Sequence, residues 1–216
     1  FELRVPPANI AELNQLNDDF NALLDELEAW QSHLQKEHAS LSHRANHDSL
    51  TGLSNRAFME AELERAILEA RIGNGKVAVL FLDSDRFKYI NDTFGHASGD
   101  HVLVTIAARI KQQLREGDLV ARLGGDEFAI LLKPLRNSSD AMHIADNIIT
   151  AMAQAIELPT GNSIVSSLTI GVAVFPDHAI DAVSLVGAAD EAMYRAKQTQ
   201  RGTRQVARLP HPHLHP

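Results

Sequence analysis

The sequence lacks three things, and each absence narrows the class of protein. It has no cysteine, which excludes disulfides and is compatible with a reducing compartment. No apolar run approaches the ~20 residues needed to cross a bilayer, and no signal-peptide pattern opens the chain. The formal net charge is −8, whereas a nucleic-acid-binding protein would show a basic patch. We therefore expect a soluble chain that does not bind a nucleic-acid polymer.

What the sequence does contain is enough apolar residues for a sizeable core, since 44% of its 216 residues are hydrophobic. This length predicts one domain with an accessory segment, or two small domains. The first residue is Phe1 rather than Met, so we expect a fragment of a longer protein. An acidic chain can still bind a phosphate-rich ligand if it recruits a divalent cation and places a few Lys and Arg side chains locally.

Apolar residues near the start of the chain alternate at spacings of three and four. They are Leu13, Leu16, Phe20, Leu23, Leu27, Trp30 and Leu34. A period of 3.5 residues is typical of a coiled coil, so the pattern predicts a long helix that pairs with an identical copy. Asn9, which follows Pro6-Pro7, is the expected N-cap. The alternative is that this helix packs on its own domain.

Residues 46–205 show the interleaved helix and strand patterns of a single mixed α/β domain. The predicted helices span roughly 55–71, 86–91, 99–114, 139–156 and 181–200. The predicted strands are 77–82, 167–175 and the two arms of a hairpin within 119–132. Residues 1–45 form the coiled-coil segment, and residues 206–216 form a disordered tail in this interpretation. The histidines of the tail could alternatively ligate a metal.

Two glycines followed by two carboxylates stand between apolar runs, at Gly124, Gly125, Asp126 and Glu127. Paired glycines in this position predict a tight hairpin turn, because such turns need backbone angles with φ > 0. Carboxylates fixed at a strand end are what a Mg²⁺-nucleotide site requires. The alternative interpretation of the same residues is an acidic surface turn.

A third carboxylate, Asp83, follows the buried strand at 77–82. If the hairpin pairs beside this strand, the carboxylates of Asp83 and Asp126 converge and could share a Mg²⁺ ion. The alternative for Asp83 is a helix cap or loop residue.

A dense polar string runs from Asn91 to Asp100. An asparagine can pair with one edge of a purine, and a carboxylate accepts from the N1–H and exocyclic amine of guanine. These two residues together would therefore select guanine. The alternative is a capped loop in which Asp100 stabilises a helix N-terminus.

Together these residues resemble the GGDEF family of diguanylate cyclases over nearly all of 46–202. Five motifs occur in the family's order, at 48–56, 83–100, 124–128, 167–173 and 189–197. The resemblance implies a palm-like α/β fold in which helices wrap a central, mostly antiparallel sheet. It also implies that two domains, each holding one GTP, meet as a homodimer and make the bacterial second messenger cyclic di-GMP.

The resemblance also implies roles for individual residues. Asp83, the backbone carbonyl of Ser84 and Asp126 would ligate Mg²⁺, for which Mn²⁺ could substitute. Asp126 would accept the proton of the attacking hydroxyl, with Glu127 as the second candidate or as an orienting residue. The residues implied to bind GTP are Phe87, Lys88, Asn91, His96, Asp100, Lys197 and Arg201. Gln200 stands where the family usually has Gly, which puts the role of Arg201 in question.

Two further resemblances concern control of the enzyme. Residues 6–24 resemble the second half of a HAMP module, in the layout of membrane-anchored HAMP-GGDEF cyclases. This implies the cytoplasmic domain of an inner-membrane protein, anchored by a segment that precedes this chain and controlled by an extracytoplasmic regulator. Arg115 and Asp118 match the family's RxxD motif, at which the product binds and inhibits. The alternative for these two residues is a solvated, charged helix end.

A binding module without catalysis is the rival function, since such a domain could hold GTP or cyclic di-GMP and signal to a partner. Degenerate modules typically lose a metal carboxylate or the glycines of the turn, and this chain has lost none of them. We therefore favour the enzyme, although function has to be argued from the site rather than the fold.

Overall fold

The structure is a computed structural model that describes residues 11–209, with the side chains of 11–13 and 35–44 left outside the description. The chain divides into two compact units, Phe1–Ala45 and Asn46–Pro216. The predicted cap at Asn9, the preceding Pro6-Pro7 and the tail at 210–216 lie outside the described residues.

The helices, in chain order, are α1 (Ala11–Asn46), α2 (Arg56–Gly73), α3 (Phe87–Phe94), α4 (His96–Gln112), α5 (Ser138–Met152) and α6 (Ala182–Thr199). The strands are β1 (Lys76–Ser84), β2 (Leu119–Gly124), β3 (Glu127–Leu135), β4 (Ile156–Glu157), β5 (Ser163–Ile164), β6 (Leu168–Phe175) and β7 (Arg204–Val206). None of the helices within residues 11–209 is both long enough and apolar enough to cross a membrane.

Helix α1 carries the predicted apolar seam on its surface. The described seam side chains from Leu16 to Leu34 are 41–64% exposed. An apolar stripe of period 3.5 that is not buried is the surface that a second helix of the same kind would cover.

The centre of the second unit is a five-stranded sheet in the order β2-β3-β1-β6-β7. All neighbours are antiparallel except β6 and β7, which are parallel. Strand β1 lies in the middle, and its apolar run is buried throughout. Because successive side chains point to opposite faces, Ala78, Leu80 and Leu82 enter one core while Val79 and Phe81 enter the other.

Helices cover both faces of this sheet. Helices α3, α4 and α5 pack on one face, and α2 and α6 pack on the other. Gly171 of β6 permits the close approach of α6, since a Cβ there would lie 1.9 Å from the Ala189 carbonyl oxygen. The predicted α/β class, a mostly antiparallel sheet wrapped by helices, is confirmed.

Several predicted boundaries were wrong. The helix expected at 139–156 ends at Met152, and the residues after it form the small β4-β5 ribbon. Residue 206, where the tail was expected to begin, is the last residue of β7, and Ala207 is buried. The two short ribbon strands and the three residues of β7 are too brief to show an apolar period.

Candidate active site

The signature hairpin places its carboxylates differently from the prediction. Strand β2 ends at Gly124, which pairs with Glu127, so the two residues of the turn are Gly125 and Asp126. The sequence predicted Gly124-Gly125 as the turn, which is wrong by one residue. The reason is a register shift between Arg122 and Gly124. Both glycines still have positive φ, 142° for Gly124 and 53° for Gly125, and Asp126 stands at the tip itself.

The hairpin pairs beside β1, as the convergence of the two aspartates required. Asp83 is opposite Glu127, and the backbone N–H of Ser84 donates to the Asp126 carbonyl oxygen at 3.2 Å. Phe128 is fully buried and anchors the start of β3. The structure therefore brings Asp83, Ser84, Asp126 and Glu127 together at one end of the sheet.

Like charges crowd this end of the sheet. Burial raises the pKa of Asp126, and the neighbouring Asp83 carboxylate raises it further, while Lys197 and Arg122 act in the opposite direction. Burial and Asp83 also raise the pKa of Glu127, whereas Arg56, whose guanidinium lies 3.7 Å away, lowers it. A cluster of partly buried carboxylates of this kind favours the binding of a cation.

The donors at this end fit a hard divalent ion. Asp83 and Asp126 offer carboxylate oxygens, and the buried hydroxyl of Ser84 has no hydrogen-bond partner. Among the described residues, no three His, Cys, Asp or Glu side chains form a ready-made metal cage. Mg²⁺ is usually held by one or two carboxylates with substrate phosphates completing its shell, and this donor set matches that pattern.

The polar string spans the end of α3 and the first turns of α4. Gly95 has φ 83° and separates the two helices. Asn91 is half-buried and faces Gly99, because a Cβ on Gly99 would lie 1.9 Å from Asn91 Oδ1. The same Cβ would lie 3.2 Å from the Phe87 ring. The absence of a side chain at Gly99 thus allows Asn91 and Phe87 to pack directly against the start of α4.

Three other residues implied to bind GTP lie on the same two helices. Lys88, His96 and Asp100 are exposed on α3 and on the first turns of α4. Helix α4 begins at His96 without a side-chain cap, so Asp100 lies in its second turn and does not cap it. The string is a helix–helix corner rather than a capped loop.

Two of the three basic residues expected to hold the triphosphate contact carboxylates. The Lys197 ammonium lies 2.7 Å from Asp83 Oδ2. Arg201 Nη1 lies 3.4 Å from Asp85 Oδ1. Gln200 caps the end of α6 in an extended conformation, and Arg201 contacts Asp85, which follows β1.

Asp85 was not assigned a role from the sequence. It is buried and accepts hydrogen bonds from the Ser167 and Thr169 hydroxyls at 2.6 and 2.7 Å. A groove of about 590 Å³ opens beside it, lined also by Arg86, Tyr89 and Arg201. The available signal was its position two residues after Asp83, at the end of a buried strand.

The RxxD residues lie in the loop between α4 and β2. The Arg115 backbone N–H donates to Asp118 Oδ2 at 3.2 Å, and the Arg115 guanidinium donates to the Pro134 carbonyl oxygen. Helix α4 ends at Gln112, so Arg115 is not part of a helix C-terminus as the alternative interpretation required. A groove of about 370 Å³ borders Lys111, Arg115 and Asp118.

A mostly antiparallel sheet wrapped by helices, with carboxylates gathered at one end, is the α/β architecture that the sequence resemblance implied. The chain belongs to the GGDEF family of diguanylate cyclases, since residues 45–203 match the family described as "Diguanylate cyclase, GGDEF domain".

Individual relatives agree with this assignment. The chain is 59% identical over 214 residues to diguanylate cyclase TpbB of Pseudomonas aeruginosa, covering 99% of this chain and 49% of that protein. A crystal structure of the GGDEF domain of YfiN (TpbB) from the same organism is 56% identical and superposes with a TM-score of 0.73, covering 74% of this chain and 99% of that one. The chain spans about half the length of the curated relatives it matches.

A more distant structure extends the likeness. The coiled coil and GGDEF domain of DgcB from Caulobacter crescentus, in complex with c-di-GMP, is 27% identical with a TM-score of 0.79. It covers 87% of this chain and 99% of that one.

Proposed function

We propose that this chain is an active diguanylate cyclase, which condenses two GTP molecules into cyclic di-GMP and two diphosphates. The observation that carries the proposal is the meeting of Asp83 and Asp126 at one end of the sheet. The sequence retains the metal carboxylates and the turn glycines that degenerate modules typically lose. The relatives named as diguanylate cyclases support the same activity.

The metal in this proposal is Mg²⁺, with Mn²⁺ as a substitute. Asp83, Asp126 and the backbone carbonyl of Ser84 would hold it. A divalent ion bound there supplies charge neutralisation at the phosphates. Lys88, Lys197 and Arg201 would bind the triphosphate, and their positive charges would stabilise the charge that develops as diphosphate leaves.

The nucleoside would lie in the corner between α3 and α4. Asn91 and Asp100 would read the guanine edge, with Phe87 and His96 against the nucleoside. A carboxylate at the Asp100 position accepts from the guanine N1–H and amino group but repels the N1 lone pair of adenine. This arrangement favours GTP over ATP.

The reaction would proceed by two in-line phosphoryl transfers. In each, the 3′-hydroxyl of one GTP attacks the α-phosphorus of the other, the new P–O bond forms and the bond to diphosphate breaks. Asp126 would accept the hydroxyl proton, because its carboxylate would lie beside the metal. Glu127 is the second candidate.

Dimerisation would supply the second half of the reaction. A nucleophile and an electrophile bound to different copies meet only when two domains face one another, so positioning by the dimer is the main catalytic device. The exposed seam of α1 would pair two copies.

Control by a preceding membrane anchor and an extracytoplasmic regulator is part of this proposal, as is a product site at Arg115 and Asp118.

Incubation of the chain with GTP and Mg²⁺ tests the proposal, with cyclic di-GMP detected by liquid chromatography and mass spectrometry. We expect product from the parent chain and none from Asp126→Ala. A dimeric parent chain that binds GTP without forming product would instead indicate a binding module.

A further inference from the structure

The side chain of Arg122, on β2, ties the signature turn to a distant part of the sequence. Its Nε and Nη2 atoms donate to the carbonyl oxygen of Gly125 at 3.0 and 2.8 Å. Its Nη1 atom donates to both carboxylate oxygens of Asp48 at 3.1 and 3.2 Å. The two side chains are only 14% and 20% exposed, so this pair is shielded from water better than a surface salt bridge. The planar guanidinium is therefore held in one orientation from both sides.

Asp48 is itself fixed by its own turn. Its Oδ1 atom accepts from the backbone N–H and the hydroxyl of Thr51, at 2.8 and 2.7 Å. The Gly52 N–H donates to the Asp48 carbonyl oxygen at 2.9 Å and closes that turn. The backbone N–H of Arg122 also donates to the Ser54 carbonyl oxygen at 2.9 Å. The segment from 48 to 54 is thus joined to β2 through both side chain and backbone.

The carbonyl that Arg122 holds belongs to the peptide bond joining Gly125 to Asp126. Gly125 is the most permissive residue type and sits in the left-handed region, so the two-residue turn has little stiffness of its own. Fixing this peptide plane fixes the point from which the Asp126 side chain leaves the backbone. Displacements of about 1 Å at a catalytic group cost roughly 100-fold in rate.

We propose that Arg122 is a positioning residue for Asp126, and that Asp48 holds Arg122 in the orientation this requires. The segment 48–54 then stabilises the signature turn through Arg122. The effect on catalysis rests on the proposed cyclase function, while the effect on the turn does not.

Two variants separate the contribution of the hydrogen bonds from Arg122 to Gly125 from that of the ion pair between Arg122 and Asp48. Arg122→Lys keeps a positive charge for Asp48 but loses the fork that holds Gly125, and Asp48→Asn keeps the fork but loses the ion pair. Arg204→Lys is the matched control, because Arg204 also donates through two nitrogens, at 2.6 and 2.8 Å, but to Asp146 and away from the turn. Hydrogen exchange of the backbone at 119–128 is measured on each protein without ligand, followed by kcat and KM for GTP.

We expect Arg122→Lys to speed exchange at the turn and to lower kcat by about 10- to 100-fold with KM changed by less than about threefold. Asp48→Asn should act in the same direction to a smaller extent, and Arg204→Lys should do neither. If Arg122→Lys fails to fold, Asp48→Asn carries the test alone. Exchange and kcat that match the Arg204→Lys control would overturn the proposal. A parent chain that makes no cyclic di-GMP would contradict the cyclase function, and the exchange comparison would still decide whether Arg122 holds the turn.

Discussion

The ammonium group of Lys197 lies 2.7 Å from Asp83 Oδ2. A residue that we propose to bind phosphate is therefore paired with one that we propose to bind the metal. Both side chains are largely buried, and the pair neutralises one charge of the carboxylate cluster. When a divalent ion and a triphosphate bind together, Asp83 would ligate the ion and Lys197 would contact the phosphates instead of Asp83. Binding of metal and nucleotide should therefore be mutually dependent.

Replacement of Lys197 tests this exchange. We expect Lys197→Met to lower kcat/KM for GTP by about 100-fold, because a cation that stabilises the departing diphosphate is lost. It should also weaken the dependence of metal binding on nucleotide, measured by calorimetry with Mn²⁺ in the presence and absence of a non-reactive GTP analogue.

Lys133→Met is the matched control for that experiment. Lys133 pairs with Glu62 at 2.6 Å with similar burial, at the end of β3 opposite to Glu127. Its activity should stay near that of the parent chain. Equal losses in the two variants would show that the Lys197 effect is one of stability alone.

The raised pKa of Asp126 predicts a stability that depends on pH. In the unfolded chain this carboxyl titrates near its usual 3.8, and in the folded protein its pKa is higher because of burial and Asp83. Between the two values the folded protein binds more protons, so the free energy of unfolding falls as pH rises through that window. Asp126→Asn removes this loss and should raise the Tm at pH 7 by about 1–3 °C.

Thermal unfolding between pH 3.5 and 8, without metal or nucleotide, measures this effect. The gain from Asp126→Asn should disappear as pH falls below about 3.8, while Asp92→Asn, at an exposed position of α3, should show no such trend. A variant less stable than the parent at neutral pH would contradict the electrostatic explanation.

Asp100 should determine the choice of base. GTP offers both N1–H and a 2-amino group, and ITP offers only N1–H, so the parent chain should prefer GTP. We expect Asp100→Ala to raise KM for GTP about tenfold or more and to bring KM values for GTP and ITP together. Steady-state kinetics with both nucleotides measure this. An unchanged GTP preference would show that a residue other than Asp100 determines the choice of base.

The seam of α1 should determine the oligomeric state. Leu23 and Leu27 are exposed in the single chain, so Leu23→Glu with Leu27→Glu would place charges in a coiled-coil core. We expect monomers by analytical ultracentrifugation and at least about tenfold lower activity per chain. Ala22→Glu, exposed on the same helix but off the seam, is the control. Dimers that persist in the double variant would show that another surface pairs the copies.

The parts of the fold that follow from a local pattern were predictable. The apolar run of β1 and the glycine-rich hairpin each carry their own signal, and the position of Asp83 directly after that run indicated where the carboxylates meet. The ribbon at β4 and β5 and the short β7 were missed because their pairing depends on tertiary contacts rather than on periodicity.

The same distinction applies to the candidate site. The residue types at 83, 91 and 126 indicated the chemistry that we propose for them. The pair formed by Lys197 and Asp83 and the link from Asp48 to Arg122 join residues far apart in the sequence, and no spacing rule reveals them. The one-residue error at the hairpin arose because a bulge moves the register without changing the apolar pattern.

The most direct test of the central claim is the stoichiometry of Mn²⁺ bound in the presence of a non-reactive GTP analogue, followed by electron paramagnetic resonance. If Asp83 and Asp126 form a shared metal site with the nucleotide, the parent chain binds Mn²⁺ only with the analogue, and Asp83→Ala and Asp126→Ala each weaken that binding by about 100-fold or more. Unchanged Mn²⁺ binding in both variants would contradict the claim that these two carboxylates hold the metal.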